Sequence, residues 1–158
     1  MTDVVDRQTR SRMMAGIRNK DTKPELALRC ALHACGFRYR LHPKAVTGRP
    51  DLVLPKHKAV IFVHGCFWHR HPGCRFASTP STRVEFWQAK FNANVTRDLL
   101  VVARLGSEGW RVATIWECAL RSPAMVELSA ERVWAWLQSD TAILEIGGAT
   151  FQAGNPKH

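Results

Sequence analysis

Ala59-Val60-Ile61-Phe62-Val63-His64 is a continuous apolar, β-branched run, followed at once by Gly65-Cys66-Phe67-Trp68-His69-Arg70-His71. The first half predicts a strand covered on both faces, in the middle of a sheet, with a histidine at its C-terminal end. The second half opens an irregular segment, Gly65 to Arg83, dense in Cys, His, Gly, Pro and Ser. A connection of that length inside a compact domain needs a local crosslink to organise it.

Working outward, Phe37 to His42 alternates with period two and predicts a half-buried strand, ended by the turn signals of Pro43 to Pro50. A further strand is expected at Asp51 to Leu54, with Pro55 to Lys58 as a polar turn. Thr22, Pro24 and Glu25 form a helix start, and Gly36 is the stop. Cys30 and Cys35 lie in this alanine- and leucine-rich segment and are expected in the core. Downstream, a long helix is predicted from Ser81 or Thr82 to about Leu105, carrying Phe86, Lys90, Val95, Leu99 and Val102. Arg111 to Trp116 predicts another strand. Met125 to Leu137 predicts a final helix with Val126, Val133, Trp134 and Leu137 inward, and the pattern weakens from Ser139 on. This order implies a layered α/β domain with a mixed sheet. The chain divides into a basic arm with a short helix at 1–20, a domain at 21–138 holding the loop 65–83, and a tail at 139–158.

The 158 residues carry 23 Lys and Arg against 13 Asp and Glu, a net charge of +10, and residues 1–49 alone supply +7 of it. Such an excess, rich in arginine, points to a polyanion, nucleic acid before membrane. Hydrophobic residues at 46%, with 6 Trp and 7 Phe, exclude a disordered chain. No apolar run approaches the ~20 residues of a membrane span, and the charged N-terminus does not read as a secretory signal, so a cytoplasmic protein is expected.

Three constellations carry chemistry. Cys66, His71, Cys74 and Cys118 can form a closed Cys3His tetrahedron of the kind Zn²⁺ favours, stapling the loop to the end of strand 111–116. Buried thiols without metal are the alternative, and the need to order the loop favours the metal. Arg49-Pro50-Asp51 followed by Phe62-Val63-His64 and His69 is similar to a PD-(D/E)xK nuclease arrangement, although a Pro-Asp dipeptide is by itself more often a turn. Phe67, Trp68 and Trp87 are large rings that ordinarily fold into a core, but on a basic protein they can also wedge between base pairs.

Taken together, TRSRMM near the start, TKPE, GRPDLV, VIFVHGCFWHRH, TRVEFW and GWRVATIWECAL closely resemble the very short patch repair (Vsr) endonucleases, collinearly from about Asp3 to Leu120. The resemblance implies a three-layer PD-(D/E)xK, restriction-endonuclease-like core, with a central mixed β-sheet flanked by helices and a structural zinc. It implies a Mg²⁺-dependent enzyme that nicks duplex DNA 5′ to the thymine of T:G mismatches left by deamination of 5-methylcytosine, leaving a 5′-phosphate and a 3′-hydroxyl. By motif, Asp51 and the Val63 carbonyl would hold one or two Mg²⁺, with Glu25 acting through water. His64 and His69 would be active-site histidines, with His69 the general base and Asp98 orienting it. Cys66, His71, Cys74 and Cys118 would bind zinc; Phe67, Trp68 and Trp87 would intercalate beside the mismatch; and Arg10, Arg12 and Met14 would belong to a DNA-contacting arm. The expected partner is double-stranded DNA with a T:G mismatch, bound by a monomer, with mismatch-repair proteins as further candidates. A zinc-containing protein that binds distorted DNA without cutting, and a restriction-like nuclease on paired DNA, are the alternatives.

Overall fold

A computed structural model describes residues 22–148. The arm with Arg10, Arg12 and Met14, and the last ten residues, lie outside them. Three helices, α1 (Lys23–Ala34), α2 (Val84–Ser107) and α3 (Pro123–Gln138), accompany five strands, β1 (Arg40–Leu41), β2 (Leu52–Leu54), β3 (Ala59–His64), β4 (Arg111–Trp116) and β5 (Ile143–Ile146). The sheet order is β1-β2-β3-β4-β5, antiparallel from β1 to β3 and parallel from β3 to β5. The continuous apolar strand is therefore central, as its composition requires.

Alternation along the strands sorts side chains to two faces. Leu52, Leu54, Ala59, Ile61, Ala113, Ile115 and Ile146 meet Leu28 and Leu32 of α1 and Val126, Val133, Trp136 and Leu137 of α3. Val53, Val60, Phe62 and Val112 meet Leu105, Val101 and Val102 of α2 on the other face. The result is helix, mixed sheet, helix. No helix among the described residues is long and apolar enough to cross a membrane.

Several sequence expectations are corrected. Residues 143–146 are not tail: Ile143 to Ile146 pair in register with Val112 to Ile115 as the edge strand. A four-residue edge strand carries too little periodicity to stand out. The strand expected over 37–42 shrinks to Arg40–Leu41, because Phe37 turns into the core and His42 takes a left-handed φ of 45°. Cys30 and Cys35 are exposed, since α1 buries the stripe Glu25, Leu28 and Leu32, and Cys30 faces away from it. In α3 the stripe includes Trp136, 4% exposed, while Trp134 is 50% exposed. In α2 Phe86 and Leu99 are exposed, 48% and 67%, and the inward residues are Phe91 and Leu105 with partly buried Val95, Asp98 and Val102 between them. The helix starts at Val84 behind Arg83, with no side-chain cap, rather than at a serine or threonine cap. Thr22 does cap α1, its hydroxyl accepting from the Glu25 N–H at 3.4 Å.

Candidate active site

The antiparallel β2–β3 pair brings the start of β2 beside the end of β3, so Asp51, Val63 and His64 meet at one end of the sheet. A cleft of about 230 Å³ opens there, lined by Asp51, Val63, His64, His69 and Asp98, with Arg49 and Arg97 on its walls. Clefts beyond the carboxyl ends of parallel strands are the usual ligand sites of open α/β sheets.

Asp51 is fixed by the Val63 N–H, which donates to Oδ2 at 2.6 Å. Burial raises its pKa to about 7, partly opposed by that hydrogen bond and reinforced by Glu25. On the side away from Val63, Oδ1 faces His42 Nδ1 at 3.7 Å, and His42 Nε2 lies 2.9 Å from Glu25 Oε2. Glu25, 1% exposed, also pairs with Arg29.

His64 and His69 stack with centroids 3.9 Å apart and planes within 6°. Burial, then the neighbouring His69, depresses the His64 pKa to about 3, so this ring stays neutral. Its buried Nδ1 has no hydrogen-bond partner. His69 Nδ1 lies 2.7 Å from Asp98 Oδ2. Asp98 reaches it because it sits on the inward stripe of α2, where an acid among Phe91, Val95, Val102 and Leu105 already marks a position chosen for something other than packing.

Phe67 and Trp68 of the loop form an aromatic cluster with Trp87 in the first turn of α2, with Phe67–Trp68 centroids at 4.9 Å and Trp87 5.9 Å from each. Phe91 backs Phe67 at 5.2 Å, Phe86 lies 5.4 Å from Trp87, and Asn94 Nδ2 donates to the Trp68 carbonyl at 3.0 Å.

Behind this loop, Cys66, His71, Cys74 and Cys118 place one ligand atom each within 4.8 Å of one another. His71 Nδ1 lies 3.7 Å from Cys66 Sγ and 3.4 Å from Cys118 Sγ. A tetrahedron with ordinary zinc bonds has an S···N edge of ~3.5 Å, so the donor set and its spacing fit Zn²⁺. Burial raises the thiol pKa values of Cys66 and Cys118, so without a cation both stay protonated. The Gly148 N–H donates to Cys118 Sγ at 3.1 Å, and a Cβ on Gly148 would meet the Cys118 carbonyl at 2.7 Å.

Comparison with known proteins bears on this arrangement. The profile of the family described as DNA mismatch endonuclease Vsr matches residues 2–75. The chain is 46% identical over 127 residues to the type II nicking enzyme V.XorIIP of Xanthomonas oryzae pv. oryzae, covering 80% of this chain and 93% of that one. It is 41% identical over 148 residues to the DNA mismatch endonuclease Vsr of Escherichia coli K12, covering 92% and 94%. The chain belongs to the Vsr endonuclease family.

Within this Vsr-family chain the structure brings Asp51, Val63, His64, His69 and Asp98 to one cleft, Glu25 beside Asp51, the aromatics to one cluster and the thiols with His71 to another. Sequence reasoning missed His42, whose place in an alternating segment read as strand pattern. It also missed Arg70, whose guanidinium donates to the carbonyls of Phe67, Ala77 and Ser78 at 2.8–3.1 Å and lies 4.0 Å from the Phe91 ring centroid. Arg70 is thus a second clasp on the loop. Gly148 was missed because it belongs to the supposed tail.

Gly48 lets the turn before Asp51 pack closely against α2 in this Vsr-family fold. Its φ is 77°, and a Cβ would lie 2.4 Å from Val101 Cγ1 on α2. Gly48→Ala combines left-handed strain with overpacking, and a loss of about 1–3 kcal/mol is expected. Thermal melting alongside single-turnover assays should show both stability and rate falling; an unchanged melt would remove Gly48 from this role.

Proposed function

We propose that this chain is a Mg²⁺-dependent, strand-specific nicking endonuclease that hydrolyses the phosphodiester 5′ to the thymine of T:G mismatches in duplex DNA, acting as a cytoplasmic monomer with a structural zinc. The observation that carries the reading is the His69–Asp98 pair, at 2.7 Å, set beside half-buried Asp51 in one cleft of a Vsr-family chain. The relatives' names, a mismatch endonuclease and nicking enzymes, favour cutting one strand over binding alone.

The donors around Asp51 suit a divalent cation: two carboxylates, half-buried Asp51 and buried Glu25, lie near each other, and a hard cation prefers oxygen. Asp51 and the Val63 carbonyl would hold Mg²⁺, with Glu25 acting through water. When bound, the ion would polarise the scissile phosphate and stabilise the leaving 3′-oxygen. Asp98 holds the proton of His69 on Nδ1, leaving Nε2 as the lone-pair nitrogen that takes a proton from the attacking water. His64, neutral throughout the working range, supports the His69 ring by stacking and adds no charge to repel its protonated form. Arg49 and Arg97 on the cleft walls suit phosphate oxygens. Phe67, Trp68 and Trp87, within a few residues of His69 or packed on those that are, would wedge beside the mismatch, where unstacking costs less than at a paired step.

Asp98→Asn tests the assignment of the base. The account expects nicking of a T:G duplex to fall roughly 10²-fold with DNA binding unchanged, because the ring loses its charged orienter. A rate within twofold of the parent would remove Asp98 and its partner from the chemistry.

A further inference from the structure

The reading above gives the catalytic cation to carboxylate and carbonyl oxygens, but the side chain nearest the outward oxygen of Asp51 is an imidazole. Val63 occupies Asp51 Oδ2, which leaves Oδ1 facing His42 Nδ1. Their separation of 3.7 Å is too long for a hydrogen bond. It is a span one six-coordinate cation can bridge at neighbouring positions once the two atoms close by roughly 0.7 Å, given bonds of ~2.1 Å. The other ring nitrogen, Nε2, sits 2.9 Å from Glu25 Oε2. A metal-binding histidine commonly donates its second ring N–H to a carboxylate, which fixes the tautomer and makes the ligating nitrogen more basic. The His42 N–H also donates to the Asp51 carbonyl at 3.3 Å, so the backbone holds the two residues side by side.

We propose that His42 Nδ1 is a direct ligand to the divalent cation that Asp51 holds, with Glu25 orienting the imidazole. The proposal rests on Asp51 being the metal carboxylate. Mn²⁺ serves as the probe, because it takes the same six-coordinate, oxygen-rich sites as Mg²⁺. A competing arrangement exists in the same cluster. Arg29 Nη2 lies 3.1 Å from His42 Nε2, and if it donates there the ring proton moves to Nδ1 and the nitrogen facing Asp51 has no lone pair to give.

Pulsed electron paramagnetic resonance on the full-length, zinc-loaded protein with added Mn²⁺ separates the two. The expected result is a directly bonded nitrogen coupling that changes from ¹⁴N to ¹⁵N when only histidine is labelled, a measurement on the parent protein that needs no variant. His42→Gln should abolish that coupling and weaken Mn²⁺ binding at least about tenfold. Mn²⁺ that is lost in Asp51→Asn yet shows no histidine coupling, or a coupling that survives His42→Gln, overturns the proposal while leaving Asp51 as the metal carboxylate. Mn²⁺ binding indifferent to Asp51→Asn overturns both. A parent that shows the coupling but does not nick T:G duplexes fails only the functional reading.

Discussion

Asp51→Asn is expected to abolish nicking, by at least ~10³-fold, and at the same time to make the metal-free protein more stable at pH 8. The two effects have one cause. Asp51 keeps its proton to about pH 7 in the folded, metal-free chain but only to about its ordinary value of 3.8 when unfolded. Folding therefore takes up a proton between those values, and the metal-free protein loses stability as pH rises through that window. An asparagine carries no such charge and still accepts the Val63 N–H. The gain at pH 8 is on the order of 2 kcal/mol, read as a higher melting temperature in EDTA, and it should vanish near pH 4. Mg²⁺ should raise the melting temperature of the parent at pH 8 and not that of the variant, because a ligand stabilises only the state that binds it. A variant that melts lower than the parent at pH 8, or that still nicks, would show that Asp51 is an ordinary turn residue.

Removal of the proposed zinc is expected to have the largest structural effect. Cys66 and Cys118 are buried, their thiols are neutral without a cation, and between them they tie the start of the loop to the end of β4. Cys118→Ala removes one of the four proposed ligands and with it the tie between the loop and the end of β4, leaving the Arg70 clasp and the contacts of His69 and Trp68 with α2. A loss on the order of 4 kcal/mol is expected, because a metal site is among the few features whose removal costs that much. Elemental analysis of the parent should give one zinc per chain, and chelation should open the 65–83 segment to proteolysis before the sheet. Because that segment carries His69, Phe67 and Trp68, DNA binding and nicking should fall together. A parent free of zinc, with the loop protected, would make the cluster a set of packed thiols.

The central strand was legible because five consecutive apolar residues, Ala59 to Val63, leave few alternatives, and the helix start at Thr22 because capping chemistry is local. The fold's edges were not. Arg40–Leu41 and Ile143–Ile146 owe their strand geometry to pairing partners rather than to their own patterns. The faces of α2 and α3 were misjudged where apolar residues crowd both sides: Leu99 and Leu100 stand outward, and Trp134 and Trp136 are near-equal in sequence but opposite in burial. At the site, Asp51, His64 and His69 were placed by motif, whereas the Glu25–His42–Asp51 contact needs a left-handed turn that folds the end of β1 back over α1. No spacing rule announces such a turn. Arg70 was hidden for a similar reason, since its partners are backbone carbonyls, which every residue has.

The most direct test of the account is single-turnover cleavage of a duplex with both strands end-labelled, carrying one T:G pair in varied flanking sequence, beside its C:G counterpart, in Mg²⁺ and in EDTA. The account predicts one nick, 5′ to the thymine, in Mg²⁺ only, leaving a 5′-phosphate and a 3′-hydroxyl, with the C:G duplex intact. Equal cutting of the paired duplex, breaks in both strands, or tight binding to T:G without any nick in Mg²⁺ would contradict it.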